Sequence, residues 1–89
     1  MDKYLKVEKE VIDAEIMTTN YLLVGKFTKD QGIRFIDYLR RPEVQQGRFI
    51  TLADVKILNP HTKQVIDTKK FLGVNVKFIV TVTELDTLE

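Results

Sequence analysis

Side chains able to do chemistry are scarce in this chain, and the scarcity itself is informative. There is one histidine, His61, and neither cysteine nor serine. Without Cys there is no disulfide, no thiolate metal site and no sulfur nucleophile. Without Ser, a serine nucleophile is excluded. A single imidazole cannot build a site that needs two, and the nearest carboxylate in sequence is Asp67. His61 follows Asn59-Pro60, a strong turn signal, so it reads as an exposed turn residue. Asp37 and Asp54 are the carboxylates most embedded among apolar neighbours. Two carboxylates perform general acid–base work when their pKa values are driven apart. An Asp so placed more often caps a helix or satisfies turn amides, and that is the reading adopted.

The basic residues form a second candidate set. Arg34, Arg40, Arg41 and Arg48, with Lys26 and Lys29, bracket a segment that also carries Phe35, Tyr38 and Phe49. Guanidinium groups interleaved with aromatic rings make a stacking, cationic surface for single-stranded nucleic acid. The plainer reading puts the rings in the core and the arginines on a solvated rim. Arg41 with Arg48 also suits paired phosphates, as in a cyclic dinucleotide, but no Asp/Asn-x-Ser-x-x-Gly element follows. Gly25, Gly32, Gly47 and Gly73 are isolated, so no phosphate-cradling loop is present. The expectation is therefore a protein that is not an enzyme, with no cofactor and no metal.

Composition sets the frame in which these residues are placed. Eighty-nine residues of 10.4 kDa make one small domain. Hydrophobic residues at 44% and charged residues at 30% are the balance of a folded globular chain. A net charge of +1 argues against bulk electrostatic attraction to nucleic acid or an anionic membrane. No apolar run approaches the roughly 20 residues of a membrane-spanning helix. The first residues, Met1 to Lys6, lack the apolar stretch of a secretory leader. Cytoplasmic residence is expected. A domain this small buries a modest share of its surface, so self-association is a natural remedy.

The positioning elements follow from periodicity. Tyr4, Val7 and Val11 lie at helical spacing, which predicts a short N-terminal helix or arm over residues 1–10. Ile12, Ala14 and Ile16 alternate with Asp13 and Glu15, a half-buried strand; Thr18-Thr19-Asn20 is a turn, and Tyr21 to Thr28 a second strand. Ile33, Ile36 and Leu39 recur at helical steps up to Arg41-Pro42, where proline ends the helix. Glu43 to Gly47 reads as a polar loop. Phe49 to Leu58 is a strand whose apolar residues change parity, Ile50 and Leu52 on one and Val55 and Ile57 on the other. A β-bulge near Ala53-Asp54 would return both pairs to one face. Gln64 to Leu72 forms a strand that Gly73 ends. Val74, Val76, Phe78, Val80 and Val82 then alternate as the clearest strand, and residues 86–89 form a frayed tail.

Several of these blocks resemble a known family. Leu23-Val24-Gly25-Lys26-Phe27, Ile33 to Leu39, Phe49 to Val55, Phe71 to Asn75 and Ile79 to Val82 resemble, in order and spacing, a family of small bacterial proteins of unknown function. The likeness spans residues 15–84 and implies a fold without an activity. The layout is also similar to Sm-like barrels, which assemble into rings and bind RNA. Their Arg-Gly pair before the last strand is replaced here by Phe78-Ile79.

The resulting expectation is a mainly β (α+β) protein, a small bent five-stranded antiparallel barrel of Sm/SH3-like type, closed or nearly closed, with one inserted short helix; an open α+β sheet with the helix on one face is the main alternative. Residues 11–85 form the domain. Its function is that of a non-catalytic interaction or homo-oligomeric assembly module. Val74, Val76, Phe78, Ile79, Val80 and Val82 are the expected interface, because strand-edge addition is a common mode of association. The alternative is nucleic-acid contact through Arg34, Arg40, Arg41 and Arg48. No membrane partner is expected.

Overall fold

The computed structural model describes residues 8–85. Its first unit is an antiparallel hairpin of β1 (Lys9–Thr18) and β2 (Leu22–Asp30). Ile12 faces Phe27, Ala14 faces Gly25, and Ile16 faces Leu23, which places the small and large apolar residues of both strands on one buried side. The turn is held by Thr18. Its amide donates to the Tyr21 carbonyl at 2.9 Å, and its hydroxyl accepts from the Tyr21 amide at 3.1 Å. Most of the expected N-terminal helix, residues 1–7, lies outside the described residues. Lys9 and Glu10 correct the remainder, because they begin β1. The expected tail 86–89 is likewise outside the described range.

Two short helices follow, where the sequence predicts one helix and a loop. Helix α1 is Phe35–Leu39 and α2 is Pro42–Gly47. Pro42 does end α1, yet it also starts α2, because the first helical position needs no amide donor and proline's fixed φ suits it. Helices of five and six residues are too short to persist alone. Packing holds α1: Phe35 and Leu39 are buried, and the Phe35 ring lies 4.8 Å from that of Phe27. Helix α2 ends at Arg48, in the left-handed region at φ 71°, whose amide donates to the Val44 carbonyl.

Strand β3 (Phe49–Leu58) carries the bulge that its parity change requires. Val24 pairs with Lys56 but Lys26 pairs with Ala53, so β3 holds one extra residue against β2. Asp54, at φ 50°, is that residue, and Ile50, Leu52 and Val55 all end up buried. Gly25 lies across from the bend. A Cβ there would stand 3.1 Å from both the Ala53 carbonyl oxygen and a Val55 methyl.

Strand β4 (Val65–Asn75) runs through Gly73 instead of stopping there. The chain breaks three residues later, in a 3-10 turn at Val76–Phe78, before β5 (Ile79–Glu84). The apolar alternation therefore marks two strands and a turn, not one strand. Asn75 makes the break: its side-chain oxygen accepts the Lys77 amide at 2.9 Å, a local bond that competes with the ladder.

The sheet order is β4-β3-β2-β1-β5, antiparallel throughout. Its two edge strands would lie about 19 Å apart in a flat sheet, at about 4.8 Å per strand. Yet only three residues join them, and a 3-10 turn advances about 2 Å per residue. The sheet must curl. One hydrophobic cluster fills the curl and takes side chains from all five strands and both helices, with Phe35, Leu52 and Val55 almost wholly buried. Among the described residues no ladder joins β4 to β5, so the five-stranded sheet is not closed into the expected barrel.

Candidate functional site

The four arginines do not form one uncommitted surface. Arg34 stands at the start of α1 with its Nε 2.7 Å from Asp37 Oδ2, and this guanidinium holds the Asp37 carboxyl below its usual range. Arg41 Nη1 is 2.7 Å from Asp30 Oδ2, and its guanidinium lies 5.1 Å from the centre of the Tyr38 ring. Asp30 is also bound by Lys9 Nζ at 2.5 Å, and Lys9 followed by Arg41 lowers its pKa. Arg40 and Arg48 are exposed and make no ion pair among the described residues. Of the expected stacking rings, Phe35 is buried and Tyr38 packs against the core, which leaves Phe49 exposed.

The other chemical candidates are also dispersed. Asp37 is paired with Arg34, while Asp54 sits in the β3 bulge beside a cleft shared with Asp13, Lys26 and Lys56. Lys26 donates to Asp13 at 2.9 Å, which raises the Lys26 pKa. His61 is exposed in the β3–β4 turn, where its amide donates to Asn59 Oδ1 at 2.8 Å. Among the described residues no group of three or more His, Cys, Asp or Glu could hold a metal ion.

The six expected interface residues split by the turn at 76–78. Val74 is buried, and Val76, Ile79 and Val82 pack against the core. Phe78 and Val80 remain outside, at 53% and 62% exposure. Sequence reasoning missed the matching residues on the opposite edge: Val65, Ile66 and Phe71 of β4 are all more than half exposed. Their signal was the run Val65-Ile66, apolar on both parities in a strand with little to bury it.

A cleft of about 390 Å³ lies between the β1–β2 turn and the connection from β4 to β5. Tyr21 and Phe78 line it from these two elements, with Leu23 and Val74 contributing apolar surface and Asn20 and Asn75 contributing amides. By sequence Tyr21 reads only as a strand residue. No periodicity could show that its ring shares a wall with one 57 residues away.

One further group went unrecognised as special. Lys29 is 2% exposed and is the buried charged residue of the described chain. It lies on the core-facing side of β2, directly across from Glu10 of β1, to which its ammonium group donates.

No helix among the described residues is long and apolar enough to cross a membrane. Comparison with protein-family models, curated proteins and solved structures found no match to this chain.

Proposed function

We propose that this chain is a non-catalytic assembly module that associates with further copies of itself through the edges of its sheet. The observation that carries the reading is the placement of exposed apolar side chains. Val65, Ile66 and Phe71 sit on β4, Val80 sits on β5 and Phe78 just precedes it. β4 and β5 are the strands that have an unpaired side among the described residues. An open edge with apolar neighbours is a template for another strand, and a partner strand would cover both its amides and these side chains. Because the two edges differ, pairing one with the other is heterologous and builds rings or filaments, not isolated pairs.

The proposal includes a finer architecture, a small Sm/SH3-like barrel of the kind found in the bacterial family that the chain resembles. The three-residue link between opposite edges and the single core fed by every strand support it. Light scattering of the eluting protein tests the assembly. A mass above one subunit is expected, falling toward the monomer in Val80→Lys and Phe71→Lys with folding intact. Ile79 is not a suitable site, since it packs against the core. A wild-type monomer at high concentration, or unchanged mass in both variants, would refute the reading.

A second reading, contact with single-stranded nucleic acid, rests on Arg48 and Phe49, which are consecutive and both exposed, together with Arg40. It expects binding that weakens steeply with salt. No retardation of a single-stranded oligonucleotide at low salt would remove it.

A further inference from the structure

We propose that the cleft between the β1–β2 turn and the β4–β5 connection binds an uncharged, planar heteroaromatic small molecule whose ring edge offers a hydrogen-bond acceptor. The volume of about 390 Å³ falls within the range of small-molecule sites, about 300–1,000 Å³, which are mainly apolar with a few polar groups. Three features of the lining select the ligand.

The first is the pair of rings. Tyr21 and Phe78 are 47% and 53% exposed although each borders the same hollow, with Leu23 and Val74 beside them. Half-exposed rings at a concave apolar surface gain most from a flat aromatic partner, which covers them by stacking or edge contact. The second is the state of the amides. Asn75 spends its side-chain oxygen on the Lys77 amide, so its NH2 group is what remains for a ligand. The Asn20 side chain makes no hydrogen bond among the described residues. Asn20 is exposed and can serve as donor or acceptor, whereas Asn75, its oxygen already engaged, offers a ligand only a donor, which an acceptor on the ring matches.

The third feature is the absence of charge. Among the described residues no Asp, Glu, Lys, Arg or His lines this cleft, whereas each of four other clefts carries at least one charged side chain. A charged ligand would lose hydration without compensation there. The site therefore fits a neutral ring and not a phosphate or carboxylate.

Benzimidazole and indole test this directly. They share size and shape, but only benzimidazole carries a ring acceptor, and it is uncharged at pH 8. The labelled full-length protein is titrated with each, up to about 10 mM, a range suited to weak fragments, while backbone amide resonances are followed. Benzimidazole should shift amides at 18–23 and 72–78 and bind about three- to tenfold more tightly than indole, as one added hydrogen bond implies. Tyr21→Ala and Phe78→Ala should each weaken it about tenfold. The Tyr21 change leaves the turn intact, because Thr18 bonds the backbone there. Asn75→Asp keeps an acceptor for the Lys77 amide but removes the NH2, so the preference for benzimidazole should shrink, and adding Asn20→Ala, which removes the other amide of the cleft, should abolish it.

Shifts outside the cleft, none at the highest concentration, or equal binding by folded Tyr21→Ala and Phe78→Ala would each overturn the proposal. Cleft amides that move with protein concentration but not with benzimidazole would assign the hollow to a second copy and overturn it equally. Val80→Lys, the variant that tests assembly, does not line the cleft, so the two readings fail separately.

Discussion

Replacing Glu10 by Gln is expected to cost much more stability than replacing Lys29 by Met, although both changes break one ion pair. The difference lies in what each leaves behind. Lys29 is 2% exposed, whereas the Glu10 side chain keeps 35% of its surface in water. In Glu10→Gln the orphan is a buried ammonium group. Among the described residues its hydrogen-bond partners would then be the neutral Gln oxygen and the Asp30 carbonyl, 3.5 Å away. Breaking a buried pair costs about 3–5 kcal/mol. The Gln oxygen can still accept one hydrogen bond, which brings the expected cost to about 2–3 kcal/mol. In Lys29→Met the orphan carboxylate can turn to solvent, and the Met side chain refills the space of the lysine stem. Apolar replacement of a buried ion is often neutral or stabilising, so the expected change is within about 1 kcal/mol.

Urea unfolding followed by circular dichroism measures both. A slope of about 1 kcal/mol per molar, at the low end of the range for small domains, turns the Glu10→Gln loss into a midpoint drop of about 2–3 M. Lys29→Met should stay within about 1 M of wild type. The double variant should resemble Lys29→Met, because its orphan ammonium is gone. If Lys29→Met proved the more damaging single change, the ammonium would be a net stabiliser despite its burial, which refutes the expectation.

Three other outcomes are expected. Leu52→Ala and Val55→Thr should both destabilise, by about 2–5 and 1–3 kcal/mol, although the positions have opposite parity, because the Asp54 bulge turns both inward; an unaffected thermal midpoint in either would place the bend elsewhere. Gly25→Val should cost about 1–3 kcal/mol by overpacking against Ala53 and Val55, and a midpoint equal to wild type would show that β3 yields freely. Asp30 and Asp37 have lowered pKa values, so their contribution is present above the ordinary carboxylate value of about 4 and disappears as pH falls through the lower folded values. Wild-type stability should therefore fall in that acid window, and Asp30→Asn should flatten the fall; an unchanged acid slope in that variant would exclude Asp30 as a source.

Much of the fold is legible in residue order because strands write a period of two. The pairs Ile12/Phe27 and Ile16/Leu23 and the parity change in Phe49–Leu58 are local signals, and the hairpin and the bulge follow from them. Helix α2 was not legible. Pro42-Glu43-Val44-Gln45-Gln46-Gly47 offers one apolar residue, Val44, so nothing in its pattern outweighs the polar-loop reading. The end of β4 was hidden as well, because Val74 and Val80 have the same parity whether the chain runs straight or turns at Asn75.

The candidate surfaces divide in the same way. Residue types alone exclude thiol and serine chemistry and show every glycine to be isolated, and periodicity predicts five short strands, one of them bent. Whether a residue is interface, core or cleft depends on which strands become edges and on which rings the curl brings together. That is decided by contacts between residues far apart in the chain. Tertiary structure alone therefore sent Val74 inward and Val80 outward, buried Lys29 against Glu10, and set Tyr21 and Phe78 around one hollow.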